Sequence, residues 1–275
     1  MKILITGGSG FVGKSLVNAL NEEHEVYSPS SNELDLTDSQ QVKAYLQNKY
    51  FDVVIHCAIK GGSRTQPDTA ETLYQNLSMF FHLMDNSNRF DKLYNFSSGA
   101  EYDRRTPIQA VSNDLEKSYP TDYYGMSKNI ISRLLKSNMR YYNFRIYGVF
   151  GTEEDDRRFI KSSLLKIKQN QPIEIHQDRF FDFVNIDDLI GVIKYYISNP
   201  KYPLNNEVEL VYSRKYKLSN LVELIKKITK SRVDINIIDS KLGNSYTGDG
   251  IGIDDTVMFN TIGLEAGIKK IWDEL

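Results

Sequence analysis

Apolar residues in the first half of the chain alternate between short continuous runs and longer stretches with helical spacing. Continuous runs are typical of strands that are buried on both faces of a parallel sheet. They cover residues 2–6, 25–28, 52–56, 92–97 and 140–146, and helical patterns cover 11–22, 39–48, 70–88 and 121–137. This alternation indicates right-handed crossovers and predicts a Rossmann-type, doubly wound parallel α/β sheet.

The pattern of apolar positions changes after residue 150. Helical patterns at 156–169, 187–198, 218–229 and 262–274 are separated by short apolar segments at 180–184, 207–212 and 233–238. This pattern predicts a smaller, mixed α/β carboxy-terminal lobe. We therefore expect two domains, residues 1–150, to which some later segments return, and residues 151–275.

Composition narrows the class of protein. The 275 residues carry 34 Lys and Arg against 36 Asp and Glu, a net charge of −2, so neither a nucleic-acid nor a membrane-surface partner is expected. A single cysteine, Cys57, excludes an internal disulfide and a cysteine-rich zinc site, and the four histidines are scattered, so no metal is expected. The first apolar run is too short for a signal peptide, and no stretch approaches a membrane span. These features predict a soluble, cytoplasmic protein.

A glycine-rich loop follows the first predicted strand. Gly7, Gly10 and Gly13 fit a dinucleotide-binding turn, in which glycines let the backbone approach a pyrophosphate at a helix N-terminus. Gly8, Gly13, Lys14 and Ser15 also satisfy the P-loop pattern of nucleotide triphosphatases.

Two observations favour a dinucleotide-binding turn over a P-loop. Phe11 and Val12 begin an apolar helical face, whereas a P-loop would keep them in the loop around phosphate. No early strand ends in the acidic residue that a P-loop enzyme needs for Mg²⁺. We therefore predict that Gly7, Gly10, Phe11, Val12 and Gly13 bind a dinucleotide.

The end of the second predicted strand bears on the choice of cofactor. An NAD site usually carries an acid there for the ribose 2′-hydroxyl, but this chain has Ser28. A serine would not repel a 2′-phosphate and could donate to it, which favours NADP. NAD stays possible if Glu33 reaches back to the ribose.

Three polar residues form a candidate catalytic group. Tyr124 and Lys128 lie one helical turn apart, and a nearby ammonium stabilises a tyrosinate. Such a phenol can exchange a proton with an alcohol or ketone while hydride moves to or from a nicotinamide. Ser98 follows the fourth predicted strand, at the sheet edge where α/β folds bind ligands, and can hold the same oxygen.

With these residues in place, the sequence resembles the extended short-chain dehydrogenase/reductases, the NAD-dependent epimerase/dehydratase group that acts on nucleotide sugars. The resemblance covers nearly the whole chain. It is carried by residues 7–13 (GGSGFVG), 35–38 (DLTD), 56–58 (HCA), Asn76, 96–102 (FSSGAEY), 124–128 (YGMSK), 144–145 (FR) and 182–188 (DFVNIDD).

The resemblance implies roles for these positions. Asp35 and Leu36 would flank the adenine, and Ala58 and Asn76 would line the cofactor site. Tyr124 would be the acid/base, Lys128 would contact the nicotinamide ribose, and Ser98 would contact the sugar oxygen. Residues 1–150 would thus be a dinucleotide-binding domain and residues 151–275 a nucleotide-sugar lobe. A homodimer through the helices at 70–88 and 121–137 is also implied.

Departures from the family pattern narrow the expected reaction. Gly99 and Ala100 replace the Asp-Glu pair of sugar dehydratases, and Ala100 also replaces a cysteine of the epimerase-reductases. Arg158 stands where those epimerase-reductases have a histidine, and Gly148 replaces the usual Asn before Tyr-Gly-Pro. What survives is hydride exchange at one carbon, by reduction of a 4-keto-(deoxy)sugar or by C4 epimerisation, and the NADP preference favours reduction.

Two arginines are candidate substrate ligands, and two other functions stay open. Arg179 or Arg158 could bind the diphosphate, because a guanidinium can contact two phosphate oxygens at once. A dinucleotide-sensing regulator would bind cofactor without chemistry, but it would not need Ser98, Tyr124 and Lys128. A P-loop phosphotransferase would bind ATP with Mg²⁺ instead of NADP.

Overall fold

The computed structural model describes residues 1–62, 66–108, 114–136, 138–199, 205–248, 252–256 and 260–275. Its strands and helices in these residues follow the chain in this order. They are β1 (Lys2–Thr6), α1 (Phe11–Leu20), β2 (Glu25–Tyr27), α2 (Ser39–Leu46), β3 (Phe51–His56), α3 (Ala70–Met84), β4 (Phe90–Ser98), α4 (Tyr123–Leu135), β5 (Tyr141–Ile146), β6 (Val149–Phe150), α5 (Phe159–Lys168), β7 (Ile173–Gln177), β8 (Val184–Asn185), α6 (Ile186–Ser198), β9 (Glu207–Leu210), α7 (Leu218–Thr229), β10 (Ile235–Asp239), α8 (Ile253–Thr256) and α9 (Gly263–Glu274).

The chain divides into two compact units. Unit 1 comprises Met1–Asp103, Asn113–Arg145 and Lys201–Val208, and unit 2 comprises Arg104–Ser112, Ile146–Pro200 and Glu209–Leu275. Each unit has its own hydrophobic core.

A six-stranded sheet in the order β2-β1-β3-β4-β5-β9 organises unit 1. β1 pairs in parallel with β2 and β3, and β3 pairs in parallel with β4. The chain therefore leaves β1 in one direction to form β2 and continues from β3 in the other. In such sheets ligands bind at the carboxyl ends of the strands where the direction changes, here β1 and β3. The Rossmann-type α/β fold expected from the alternating pattern is confirmed.

The continuous apolar runs are explained by burial on both faces of this sheet. Ile3, Leu4 and Ile5 in β1 and Val54 and Ile55 in β3 are all fully buried. Side chains on both faces of a strand can be buried only if helices cover both faces. The carboxyl ends of β1 and β3 are thus held rigidly, and the loops that follow them are positioned by the core.

Unit 2 is built from short strands and four longer helices. β7 pairs in parallel with β10, and β6 pairs in parallel with β8. α5, α7 and α9 pack over a core that includes Leu164, Leu221 and Ile268, all with at most 1% exposure. The mixed α/β architecture predicted for the later chain is therefore present.

Two element predictions need correction. A strand was expected at 180–184, but Phe180 and Phe181 form only isolated bridges, to Lys217 and Tyr246, and the strand is limited to β8. Helix α3 ends at Met84, short of the predicted residue 88, and a 3-10 turn follows at Ser87–Arg89. Residue 137, at the predicted end of the next helix, lies outside the described residues. The described residues include no helix that is long and apolar enough to cross a membrane.

Candidate functional site

The glycine loop joins β1 to α1 at the edge where the sheet changes direction. Gly7 has φ +72°, a left-handed conformation that favours glycine. A Cβ at Gly7 would lie 2.6 Å from the backbone nitrogen of Ala58, so the two loops approach more closely than any side chain would allow. This contact joins the loop after β1 to the loop after β3.

The start of α1 suits a phosphate. A Cβ at Gly13 would lie 2.2 Å from the Gly7 carbonyl oxygen, whereas a Cβ at Gly10 would meet only that oxygen, at 3.4 Å. Gly10 is the N-cap, no side chain caps the helix, and its first turn holds no acidic residue. The first-turn amides of Phe11 and Val12, both half-buried, therefore carry the positive end of the helix dipole without a carboxylate in that turn. The residues fit a pyrophosphate, as the sequence motif predicts.

A buried histidine stabilises the contact between the two loops. The Thr6 Oγ1 and His56 Nδ1 atoms are 2.8 Å apart, and the Ala58 N–H donates to Thr6 Oγ1 at 3.4 Å. Burial and the charge of Lys128 lower the pKa of His56 to about 3, so the ring is neutral. Burial also raises the pKa of the Cys57 thiol to about 12, so it is no thiolate nucleophile at neutral pH.

The end of β2 places Ser28 against the glycine loop. A Cβ on Gly8 would overlap the Ser28 hydroxyl, at 1.8 Å from its Oγ. Glu33 reaches back along the chain, but to Ser30, whose N–H and hydroxyl both donate to Glu33 Oε2 at 2.8 Å. The carboxylate expected in the alternative NAD interpretation is thus engaged in a local turn.

The other residues expected near the adenine and ribose are held by their own partners. Asp35 Oδ1 accepts bonds from the N–H and hydroxyl of Thr37, at 2.8 and 2.7 Å. Leu36 is buried in the core of unit 1. Asn76 is 1% exposed, and its amide bonds both backbone groups of Lys60.

The predicted catalytic residues come from adjacent elements of unit 1. Tyr124 lies in the first turn of α4, half-buried, and the Lys128 Nζ is 5.9 Å from the centre of its ring. Ser98 is the last residue of β4, and its Oγ accepts a bond from the Ala100 N–H at 3.2 Å. A Cβ at Gly125 would lie 2.5 Å from the Ala100 carbonyl oxygen, so the first turn of α4 packs directly on the turn after Ser98.

Lys128 is held between strand and helix. It is 6% exposed, and its Nζ donates to the Phe96 carbonyl oxygen at 2.6 Å. Burial lowers the pKa of Lys128 to about 8, while the charges of Glu101 and Cys57 oppose this decrease. The ammonium therefore stays mostly protonated at pH 7, where it can stabilise a phenolate at Tyr124.

Gly62 is a site residue to which sequence reasoning assigned no role. It has φ +69°, and a Cβ there would lie 3.0 Å from both Cε2 and Cζ of Tyr124. Its N–H donates to Asp68 Oδ1 at 2.9 Å, which fixes the loop after β3 against the tyrosine ring. The Gly61-Gly62 pair just after a buried strand was the available signal, because paired glycines often mark a close approach.

The turn after Ser98 offers no free acid. Gly99 and Ala100 are buried, and Glu101, the one carboxylate of the 3-10 turn Gly99–Glu101, is fully buried. Its side chain bonds Ser97, Ser132 and Arg145. A dehydratase needs an acid and a base beside the reacting sugar. This turn has neither.

The two candidate substrate arginines lie in unit 2. Arg158 is the N-cap residue of α5, and its Nε is 3.5 Å from Glu154 Oε2. Burial raises the pKa of Glu154 to about 8, and the Arg158 charge opposes this increase. Arg179 is half-buried and donates from Nη2 to Gln177 Oε1 at 3.1 Å. In the described residues no group of three or more His, Cys, Asp or Glu side chains could hold a metal ion.

Comparison with known proteins decides the family. The profile of the NAD dependent epimerase/dehydratase family matches residues 3–210. The chain belongs to this family. Membership confirms the resemblance predicted from the sequence. It also confirms that the chain is an enzyme that uses NAD(P). It also favours the dinucleotide interpretation of the glycine loop over the P-loop.

Two curated relatives align with most of the chain. The GDP-L-colitose synthase of Yersinia pseudotuberculosis is 27% identical over 256 residues, covering 83% of this chain and 82% of that protein. The GDP-6-deoxy-D-talose 4-dehydrogenase of Aggregatibacter actinomycetemcomitans is 23% identical over 299 aligned positions, covering 100% of this chain and 97% of that protein.

A solved structure with the same fold is the GDP-mannoheptose C4 reductase of Campylobacter jejuni with NADP bound. Its TM-score is 0.80 at 19% identity, with 99% of this chain and 97% of that chain covered. The Thermotoga maritima UDP-glucose 4-epimerase with UDP-glucose has a TM-score of 0.76 at 18% identity, with 100% and 99% covered. One fold thus carries both a reductase and an epimerase, so the fold alone does not choose between them.

Proposed function

We propose that the chain is an NADP(H)-dependent reductase of a nucleotide-linked 4-keto-(deoxy)sugar. When bound, NADPH supplies the hydride. Tyr124 donates the proton to the sugar oxygen, Ser98 holds that oxygen, and Lys128 stabilises the resulting phenolate. The observation that carries the proposal is the Tyr124–Lys128 pair packed on a turn after Ser98 that lacks any free acid. Family relatives whose names include a synthase and a 4-dehydrogenase of GDP-linked sugars support the substrate class.

The test is loss of NADPH absorbance with CDP-, GDP-, UDP- and dTDP-linked 4-keto sugars. We expect turnover with one nucleotide class, and we expect Tyr124→Phe to abolish it. Tyr123→Phe is the matched control, since Tyr123 is the neighbouring, exposed tyrosine. Wild-type turnover by Tyr124→Phe would exclude Tyr124 as the proton donor. Product formation without net loss of cofactor would indicate the alternative, C4 epimerisation, and cofactor binding without any turnover would favour a regulator.

We propose NADP as the preferred cofactor, with Ser28 as the residue that tolerates the 2′-phosphate. The position of Ser28 beside Gly8 and the engagement of Glu33 with Ser30 support this preference. The kcat/KM ratio of NADPH to NADH measures it. Ser28→Asp should reverse the ratio, whereas Glu33→Gln should leave it unchanged; a loss of NADH use in Glu33→Gln would favour the alternative interpretation.

We propose that Arg179 or Arg158 binds the diphosphate of the substrate, with residues 151–275 as the substrate lobe. Arg179→Ala should raise the KM for the nucleotide sugar and leave the Kd for NADPH unchanged. Arg158→Ala also removes the charge beside Glu154, so Glu154→Gln is its control. An unchanged KM for the nucleotide sugar in both arginine variants would contradict a role of Arg179 or Arg158 in binding the diphosphate.

We propose a homodimer through α3 and α4. These helices carry exposed apolar side chains that a partner could cover, with Tyr74 64%, Phe81 43% and Leu134 46% exposed. Light scattering should give twice the chain mass, and the double variant Tyr74→Glu, Leu134→Glu should give a monomer. A monomeric wild type would contradict the proposal. The location of the protein in the cytoplasm stays a prediction from the sequence.

A further inference from the structure

A network of buried polar side chains lies behind Lys128. Glu101 is fully buried and accepts a bond from the Ser132 hydroxyl at 2.6 Å. It also accepts bonds from the Ser97 hydroxyl and from Arg145. Burying a carboxylate costs stability unless such partners are supplied. The chain supplies three from three different elements, β4, α4 and β5. We call Ser97, Glu101, Ser132, Arg145 and Glu207 the Glu101 network.

Glu101 is bonded to both elements that meet at Lys128. On the helix side, its carbonyl oxygen accepts a bond from Asn129 Nδ2 at 2.9 Å, and Ser132 lies one turn beyond Lys128. On the strand side, Ser97 directly follows Phe96, the residue whose carbonyl oxygen accepts the Lys128 bond. Glu101 therefore fixes donor and acceptor of the Lys128 hydrogen bond relative to each other.

The charges of the network also point to Lys128. Arg145 lies between two carboxylates, since it bonds Glu101 and its Nη2 is 2.8 Å from Glu207 Oε2. Glu207 thus bonds Arg145, and burial raises its pKa. Of the two carboxylates, Glu101 is the one whose charge favours the buried Lys128 ammonium.

We propose that Glu101 is a positioning residue, which holds the Lys128 ammonium in its charged form and in place for Tyr124. This inference rests on the proposed function only for its kinetic consequence. The ionisation of Lys128 can be measured without substrate or cofactor.

The other groups that face Lys128 do not replace this role. His56 on β3 is neutral, because burial and the Lys128 charge lower its pKa to about 3. The Cys57 thiol stays protonated, because burial raises its pKa to about 12. Tyr124, on the same helix as Lys128, is a neutral phenol in its proton-donating form. Glu101 is thus the one charged group of opposite sign among those described around Lys128 that acts on it at neutral pH.

The experiment is an NMR titration of the protein labelled with carbon-13 at lysine Cε, with Lys128→Met to assign the signal. Burial places the wild-type pKa of Lys128 at about 8. Glu101→Gln keeps the shape of the side chain but removes its charge and replaces one acceptor oxygen by an NH2 donor. Removal of a carboxylate whose charge favours an ammonium lowers the pKa of that ammonium, so the Lys128 signal should titrate at a lower pH than in the wild type. Glu101→Asp keeps the charge and should restore most of the wild-type value.

Glu207→Gln is the matched control, because it removes the other carboxylate bonded to Arg145 and should leave the Lys128 titration near its wild-type position. With substrate, the alkaline limb of kcat/KM should move to lower pH in Glu101→Gln, since the ammonium is lost earlier.

A Lys128 signal that titrates at the same pH in wild type and folded Glu101→Gln would overturn the inference. Should Glu101→Gln fail to fold, the double variant Asn129→Ala, Ser132→Ala is titrated in the same way. It removes both helix-side bonds of Glu101 without changing charge, so a lower pKa of Lys128 supports the inference and an unchanged pKa overturns it. Absence of turnover by the wild type would refute the proposed function instead, and the titration would still be readable.

Discussion

Gly62→Ala tests whether the loop after β3 positions the ring of Tyr124. The added Cβ would lie 3.0 Å from Cε2 and Cζ of Tyr124, whereas ordinary contacts are 3.4–4 Å. The ring, the loop or both must therefore move by roughly half an ångström to reach normal van der Waals separation. Gly62 also has φ +69°, and an L-residue in this conformation costs about 1–2 kcal/mol.

The two effects separate in the measurements. Backbone strain should lower Tm by a few degrees, because about 1 kcal/mol corresponds to roughly 2–4 °C in a chain of this size. Displacement of the proton donor should lower kcat more strongly, by roughly tenfold to a hundredfold, since misplacement by about 1 Å can cost about a hundredfold. The Kd for NADPH, measured by fluorescence, should change little.

Gly263→Ala is the matched control for strain. Gly263 has φ +79°, but no atom would lie within 4 Å of an added Cβ. It should lower Tm in the same way and leave kcat at the wild-type value. If Gly62→Ala lowered Tm but kept wild-type kcat, the close contact with Tyr124 would have no bearing on proton transfer.

Three further predictions follow from close approaches and buried groups. Gly13→Ala places a Cβ 2.2 Å from the Gly7 carbonyl oxygen, so the glycine loop cannot keep its conformation. A fluorescence titration of this variant should therefore detect no NADPH binding. An NADPH affinity equal to that of the wild type would contradict the proposed dinucleotide-binding turn. His56 has a pKa of about 3 in the folded protein, so its ring stays neutral there. In the unfolded chain the same ring takes up a proton below about pH 6.5. Below that pH, His56 therefore lowers the free energy of unfolding by about 1.4 kcal/mol for each pH unit. The gap in unfolding free energy between wild type and His56→Asn, from urea curves, should narrow from pH 7 toward pH 4; a constant gap would contradict the low pKa. Asp188 accepts hydrogen bonds from the Ile262 and Gly263 N–H groups at 2.8 and 2.9 Å. Asp188→Asn should therefore lower the free energy of unfolding by about 1–3 kcal/mol and leave kcat unchanged. A large loss of kcat would contradict a purely structural role of Asp188.

The fold was predictable because its signals are local. Three consecutive apolar residues, Ile3, Leu4 and Ile5, indicate a strand buried on both faces, and Gly7 and Gly13 mark a turn in which side chains have no room. Tyr124 and Lys128 are one helical turn apart, so their proximity follows from the helix itself.

The remaining features depend on contacts between residues that are far apart in the sequence. Phe180 and Phe181 were expected in a strand because they are apolar, but their bridging partners are Lys217 and Tyr246, which no local pattern identifies. The contact of Gly62 with Tyr124 depends in the same way on the packing of one loop against a distant helix.

The Glu101 network illustrates the same limit for charge. Glu101 occurs in a motif that the sequence already shared with the family, yet its sequence neighbours do not reveal that it is buried. Its partners Ser132 and Arg145, and Glu207, which bonds Arg145, come from three later elements. A buried carboxylate with distant partners becomes visible only once the sheet order is known.

The proposed reaction is hydride transfer from NADPH to the sugar with Tyr124 as proton donor. The most direct measurement uses NADPH deuterated at C4 of the nicotinamide and the nucleotide-linked 4-keto sugar that supports turnover, with mass and NMR analysis of the product. One deuterium at C4 of the sugar is expected for each NADPH consumed, and no labelled product is expected with Tyr124→Phe. A product without deuterium, formed with no net consumption of NADPH, would contradict hydride transfer from NADPH to the sugar.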